Sequence, residues 1–119
     1  MDKRQLGKKG EQLAAAYLQE RGMILLRENY QIRGGEIDLI MQDGETLVFV
    51  EVKTRRSQAF GRGVEAIHAK KMQAMRRTAE QYIYENALQE MPMRFDVIEI
   101  FLKKETTEIQ YIKNADIHA

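Results

Sequence analysis

Two apolar runs meet at Asp43-Gly44, and that junction constrains the chain more than anything else in it. Leu39-Ile40-Met41 precedes the pair and Leu47-Val48-Phe49-Val50 follows it. Both runs are rich in residues that favour strands, and Asp-Gly suits a two-residue type I′ loop in which both central positions need positive φ. A β-hairpin over 35–53 is therefore predicted. With Asp43-Gly44 as the loop, Gln42 faces Glu45, Glu36 lies opposite Glu51, and Asp38 lies opposite Phe49 and diagonal to Glu51.

Alternation along the second strand puts Leu47, Phe49, Glu51 and Lys53 on one side and Val48, Val50 and Val52 on the other. Glu51 and Lys53 are then neighbours, roughly 7 Å apart at Cα, whatever the register of the hairpin. A charged strand position ordinarily does no more than solvate an outer face, and Glu-x-Lys alone is common. Here the charges follow a stretch that reads as buried on both faces, where an unpaired charge is costly. Two acids and an ammonium gathered at one point suit metal-dependent cutting of phosphodiesters.

The chain has 119 residues, 44% of them hydrophobic and 31% charged, which fits one domain with one core. No apolar run is long enough to span a bilayer, and the basic start lacks the apolar centre of a secretory signal, so a cytoplasmic location and no membrane partner are expected. With no cysteine and only His68 and His118, a bound metal should be hard and oxygen-ligated, Mg2+ or Mn2+. Net charge is only +1, but Lys3, Arg4, Lys8 and Lys9 crowd the start, Arg55 and Arg56 follow the acids directly, and Lys70, Lys71, Arg76 and Arg77 share a later helix. An acidic site in a basic surround suits a polyanion held against metal ions, although each basic cluster taken alone reads equally well as a solvated face.

The remaining elements follow from periodicity. A helix is predicted from Lys3 to Arg21, with Leu6, Gly10, Leu13, Ala14, Tyr17 and Leu18 as its stripe, Gly22 as its stop, and Glu11 at the stripe's border, able to point along the core edge. Gly7 and Gly10 leave room there for close backbone approach. Met23 to Ile32 reads as a strand; Thr54 to Gly63 reads as a loop. A long helix from Val64 to Leu88 buries His68, Met72, Met75, Ala79, Tyr82 and Ile83 and ends before Pro92, with His68 read as structural. Phe95 to Leu102 reads as a central strand, with Asp96 in a structural role, and Thr107 to Lys113 as an edge strand. The order α-β-β-β-α-β-β gives an α/β fold, a mixed β-sheet flanked by helices.

Gly7-x-x-Gly10-Glu11, Gly35-Glu36-Ile37-Asp38-Leu39 and Phe49-Val50-Glu51-Val52-Lys53-Thr54-Arg55 resemble the signature of the YraN family of small bacterial proteins, which is similar to Holliday-junction resolvases of the PD-(D/E)xK, restriction-endonuclease-like superfamily. The likeness continues through Phe60-Gly61, Glu65-Ala66-Ile67 and Arg94-Phe95-Asp96-Val97-Ile98, while Ile37 stands where the superfamily name implies proline and Gly63 where the family pattern has one. The resemblance implies a restriction-endonuclease-like sheet, Asp38 and Glu51 as metal-binding acids, Glu11 as an added helix carboxylate, and Lys53 as the motif lysine. It implies a Mg2+- or Mn2+-dependent endonuclease acting on DNA, branched or otherwise structured; for such an enzyme Arg55, Arg56, Lys70, Lys71 and Arg77 of the basic clusters are expected to grip the nucleic-acid backbone. Likeness to resolvases further suggests a homodimer. Two readings stand beside it: a DNA-binding or partner-recruiting module without useful turnover, and a purely structural domain.

Overall fold

Asp2 starts the first helix because its Oδ1 accepts the Gln5 N–H at 2.9 Å while Gln5 Oε1 accepts the Asp2 N–H at 2.9 Å, a reciprocal capping box. Helix α1 (Lys3–Glu20) closes at Gly22, whose φ of 94° allows the Met23 N–H to reach Leu18 O at 3.1 Å and the Gly22 N–H to reach Gln19 O at 2.9 Å. The computed structural model describes residues 1–56 and 69–115. His68, His118, most of the predicted 54–63 loop, the predicted helix start at Val64 and the Phe60-Gly61 and Glu65-Ala66-Ile67 motifs lie outside the described residues.

Five strands form one sheet in the spatial order β1 (Ile24–Ile32), β2 (Gly35–Asp43), β3 (Thr46–Arg55), β4 (Met93–Leu102) and β5 (Thr107–Ile112). Neighbours are antiparallel except β3 and β4, which are parallel and joined in sequence through helix α2 (Ala69–Glu85), so the sheet is mixed as predicted. Each helix covers one face. Ala14, Ala15 and Leu18 of α1 pack with Leu39, Met41, Val48, Val50, Ile98 and Ile100; Met72, Met75, Ala79 and Tyr82 of α2 pack with Tyr30, Ile37, Ile40, Leu47, Phe49 and Phe95. Burial of both faces of β3 explains its unbroken apolar run, each large side chain contributing roughly 1.5–3 kcal/mol.

Three local expectations change. The hairpin turns on Gly44-Glu45, not Asp43-Gly44: Gly44 has φ 60° at the first central position, as a type II′ turn requires, and Asp43 pairs with Thr46. Phe49 therefore faces Ile40 rather than Asp38. The slip is an even number of residues, so Leu39, Met41, Val48 and Val50 still share one face and Ile40, Leu47 and Phe49 the other, while Ile37 leaves the alternation and packs with Ile40 rather than with Leu39. Helix α2 ends at Glu85, short of Leu88, because Ala87 takes φ 54° and the Leu88 N–H returns to Ile83 O at 2.9 Å, well before Pro92. Gly10 does permit a close approach, since a Cβ there would overlap Thr54 of β3, but nothing lies within 4 Å of one on Gly7. On the other face Gly35 does the same for α2, whose Ala74 O would stand 3.0 Å from an added Cβ, with Thr78 Oγ1 closer still.

Candidate functional site

The β2–β3 ladder runs from Asp43↔Thr46 to Leu39↔Val50, and at that end a side chain takes over the pairing. Asp38 Oδ2 accepts the Val52 N–H at 2.8 Å, a bond that bridges the two strands and sets Asp38 beside Glu51. Both acids are buried, at 8% and 4% exposure, and their carboxyls lie within hydrogen-bonding reach of each other. Burial, and then the Glu51 charge, push the Asp38 carboxyl well above the usual carboxylate range, against the Val52 N–H that favours its ionised form.

Two ammonium groups answer these acids. Lys53, on the same face of β3, lies 3.3 Å from Glu51 Oε2, and Lys71 Nζ donates a hydrogen bond to that same oxygen. Lys71, expected from the sequence to hold a nucleic-acid backbone, thus reaches into the acidic pair. Burial disfavours its ammonium, yet the Glu51 carboxylate more than offsets this and its pKa lies above the ordinary lysine value.

Glu11 comes from the opposite face. Close contact of Gly10 with Thr54 seats α1 against β3, and Glu11 stays near enough to add, as the smallest of the named causes, to the repulsion that raises Asp38. Its Oε1 accepts a 3.1 Å hydrogen bond from Asn29 Nδ2. Asn29 was not singled out in the sequence. It sits within β1 at φ 48°, a left-handed conformation that asparagine tolerates better than most residues, and an asparagine interrupting a strand pattern is the signal that could have found it. An open cavity of about 780 Å³ runs from Glu11 and Asn29 past Lys3, Arg4 and Lys8.

Other predicted residues fall further out. Arg55 Nε pairs with Glu99 Oε2 at 2.9 Å, and Glu99, fully buried on β4, has no hydrogen-bond partner for Oε1 among the described residues. Arg56 is exposed and lines a second cavity of about 590 Å³ with Lys9, Lys103 and Lys104. Lys70 and Arg77 are exposed on α2. Asp96 is structural, as expected: its carboxylate accepts Arg94 Nε at 3.1 and 3.2 Å, the Asn114 N–H at 2.9 Å and the Tyr111 hydroxyl.

Among the described residues, no three carboxylate or imidazole groups converge closely enough to cage an ion. A magnesium site does not need them, because that ion keeps several waters and binds through one or two carboxylates plus substrate phosphates. Asp38 and Glu51 supply such a pair, and their crowding is the kind a divalent cation relieves. Glu11, turned to Asn29, would join directly or through water. None of the described helices is long and apolar enough to cross a membrane.

Comparison with known proteins agrees in extent with the motif resemblance. A UPF0102 protein of Caldicellulosiruptor saccharolyticus is 42% identical over 117 residues, covering 97% of this chain and 99% of its own length. Another from Carboxydothermus hydrogenoformans is 42% identical over 114 residues, covering 96% and 97%, and one from Syntrophus aciditrophicus is 45% identical over 109, covering 92% and 86%. The model of the uncharacterised protein family UPF0102 matches residues 10–100. With that match spanning both acids, the motif lysine and most of the sheet, the chain belongs to UPF0102, the YraN family.

Proposed function

We propose that this protein is a metal-dependent endonuclease that hydrolyses phosphodiesters of DNA, branched or otherwise structured. The observation that carries the reading is the buried Asp38–Glu51 pair with Lys53 at 3.3 Å from Glu51 Oε2. Asp38 and Glu51, with Glu11 at the edge, would hold one or two Mg2+ or Mn2+ ions. When bound, such an ion makes a coordinated water more acidic and neutralises charge that develops on the phosphate. The Val52 N–H fixes the orientation of Asp38, and the apolar walls on both sides of β3 limit competing water. Lys53, tethered to Glu51, presents a positive charge to the attacked phosphate and its incoming water. Arg55, Arg56, Lys70 and Arg77, joined by Lys71, would hold the backbone on either side. A homodimer, which would cut two strands symmetrically, rests on likeness to resolvases alone.

One observation favours a second reading, a DNA-binding module without turnover: Lys53 and Lys71 already neutralise Glu51 with no metal needed for charge balance. Single-turnover assays on junction, flap and linear DNA with Mg2+ and with Mn2+ separate the two. Cleavage that vanishes in Asp38→Asn and Glu51→Gln supports the nuclease. Salt-sensitive binding that Asp38→Asn leaves unchanged, with no cleavage of any substrate, supports the module.

A further inference from the structure

Lys71 lies where a metal-binding site would be expected to hold only acids and the motif lysine. Its placement follows from how α2 is docked. Ala74 and Thr78 press against Gly35, Met72 and Met75 are buried in the core, and Lys71 lies one turn ahead of Ala74 and Met75 on the sheet-facing side. The ammonium reaches the same Oε2 of Glu51 that Lys53 approaches. Glu51 thus holds two ammonium groups on one oxygen, one more than its own charge requires, beside the second buried carboxyl of Asp38.

Resting on the nuclease reading, we infer that Lys71 is a resident counter-cation: it occupies the divalent-ion position at Glu51 and must leave before an ion can bind there. Lys71 Nζ sits closer to Glu51 Oε2 than Lys53, which stays 3.3 Å away, so a divalent ion drawn to that oxygen meets the stronger repulsion from Lys71. The Lys71 side chain is 33% exposed, so the flexible stem has somewhere to swing, and an arriving phosphate offers the ammonium a replacement partner. Ion affinity and backbone binding are then coupled, each favouring the other.

The test is Mn2+ binding by the full chain, followed by electron paramagnetic resonance in the absence of DNA. Lys71→Met and Lys71→Gln should bind Mn2+ at least about tenfold more tightly than the parent, because a competing cation is gone, while Lys71→Arg stays close to the parent. Adding Asp38→Asn to Lys71→Met should abolish the gain. Unchanged or weaker binding in both neutral variants, a gain that survives Asp38→Asn, or no Mn2+ binding by any of these proteins at millimolar concentration would each overturn the assignment. If the gain is seen but the parent cleaves no DNA, the counter-cation stands and the nuclease reading falls.

Discussion

Asp38 is held against Glu51 by the backbone of the residue between Glu51 and Lys53: the Val52 N–H donates to Asp38 Oδ2 at 2.8 Å. One bond thereby closes the end of a β-ladder and fixes two buried carboxyls side by side. The cost is burial of the Asp38 carboxyl and then repulsion from Glu51, and such stored electrostatic cost is characteristic of functional sites.

Asp38→Asn keeps an oxygen for the Val52 N–H and removes a carboxyl whose ionisation burial and Glu51 oppose. Thermal stability should be unchanged or higher, while metal-dependent cleavage falls by at least about a hundredfold. Melting curves and single-turnover rates on the same preparation check this; a variant that melts lower and still cuts would contradict the site.

Gly10→Ala drives a methyl group into Thr54, whose Cβ would be 2.8 Å away. Overpacking of this kind costs about 1–3 kcal/mol, partly offset by roughly 1 kcal/mol of improved helix propensity. Urea denaturation should show a net loss that Thr54→Ala partly restores in the double variant. Since Gly10 precedes Glu11, the same substitution should also weaken metal-dependent activity.

Ala87→Gly should stabilise the protein by about 1 kcal/mol, because Ala87 closes α2 at φ 54°, where an L side chain is strained and glycine is not. The measurement is the urea midpoint. No change would mean that the unfolded chain's added freedom offsets the relief.

Arg55→Ala would leave fully buried Glu99 without the cation hydrogen-bonded to its Oε2, while Oε1 already lacks a partner among the described residues. Because Arg55 is about a third exposed, we expect a loss of about 1–3 kcal/mol rather than the full effect of a buried pair. Arg55→Ala with Glu99→Leu should recover most of it, read by chemical denaturation.

Beside Tyr30, whose phenol burial pushes up to about 12, Tyr111 contributes to alkaline behaviour. Burial first, and then its hydrogen bond to Asp96, push the phenol from 10.0 up to about 12. The native state therefore holds this proton more tightly than the unfolded chain, so its contribution is complete below pH 10 and is lost as pH rises towards 12. Tyr111→Phe should flatten that part of the stability–pH curve. An equally steep decline in the variant would assign the alkaline limb to other groups.

Much of this arrangement was legible residue by residue. Gly22 marked the end of α1, and the element order emerged from periods of two and 3.6. The shared face of Glu51 and Lys53 needed only strand alternation and therefore survived the change of turn from Asp43-Gly44 to Gly44-Glu45. Local backbone geometry suffices for such relations because they join residues two to four apart. Tertiary packing alone decided that Lys71 meets Glu51, that Asn29 bonds Glu11 and that Glu99 anchors Arg55, residues separated by 20, 18 and 44 positions. Those meetings depend on how closely each helix settles on its face of the sheet, set by Gly10 against Thr54 and Gly35 against Ala74 and Thr78, and no periodicity encodes that distance.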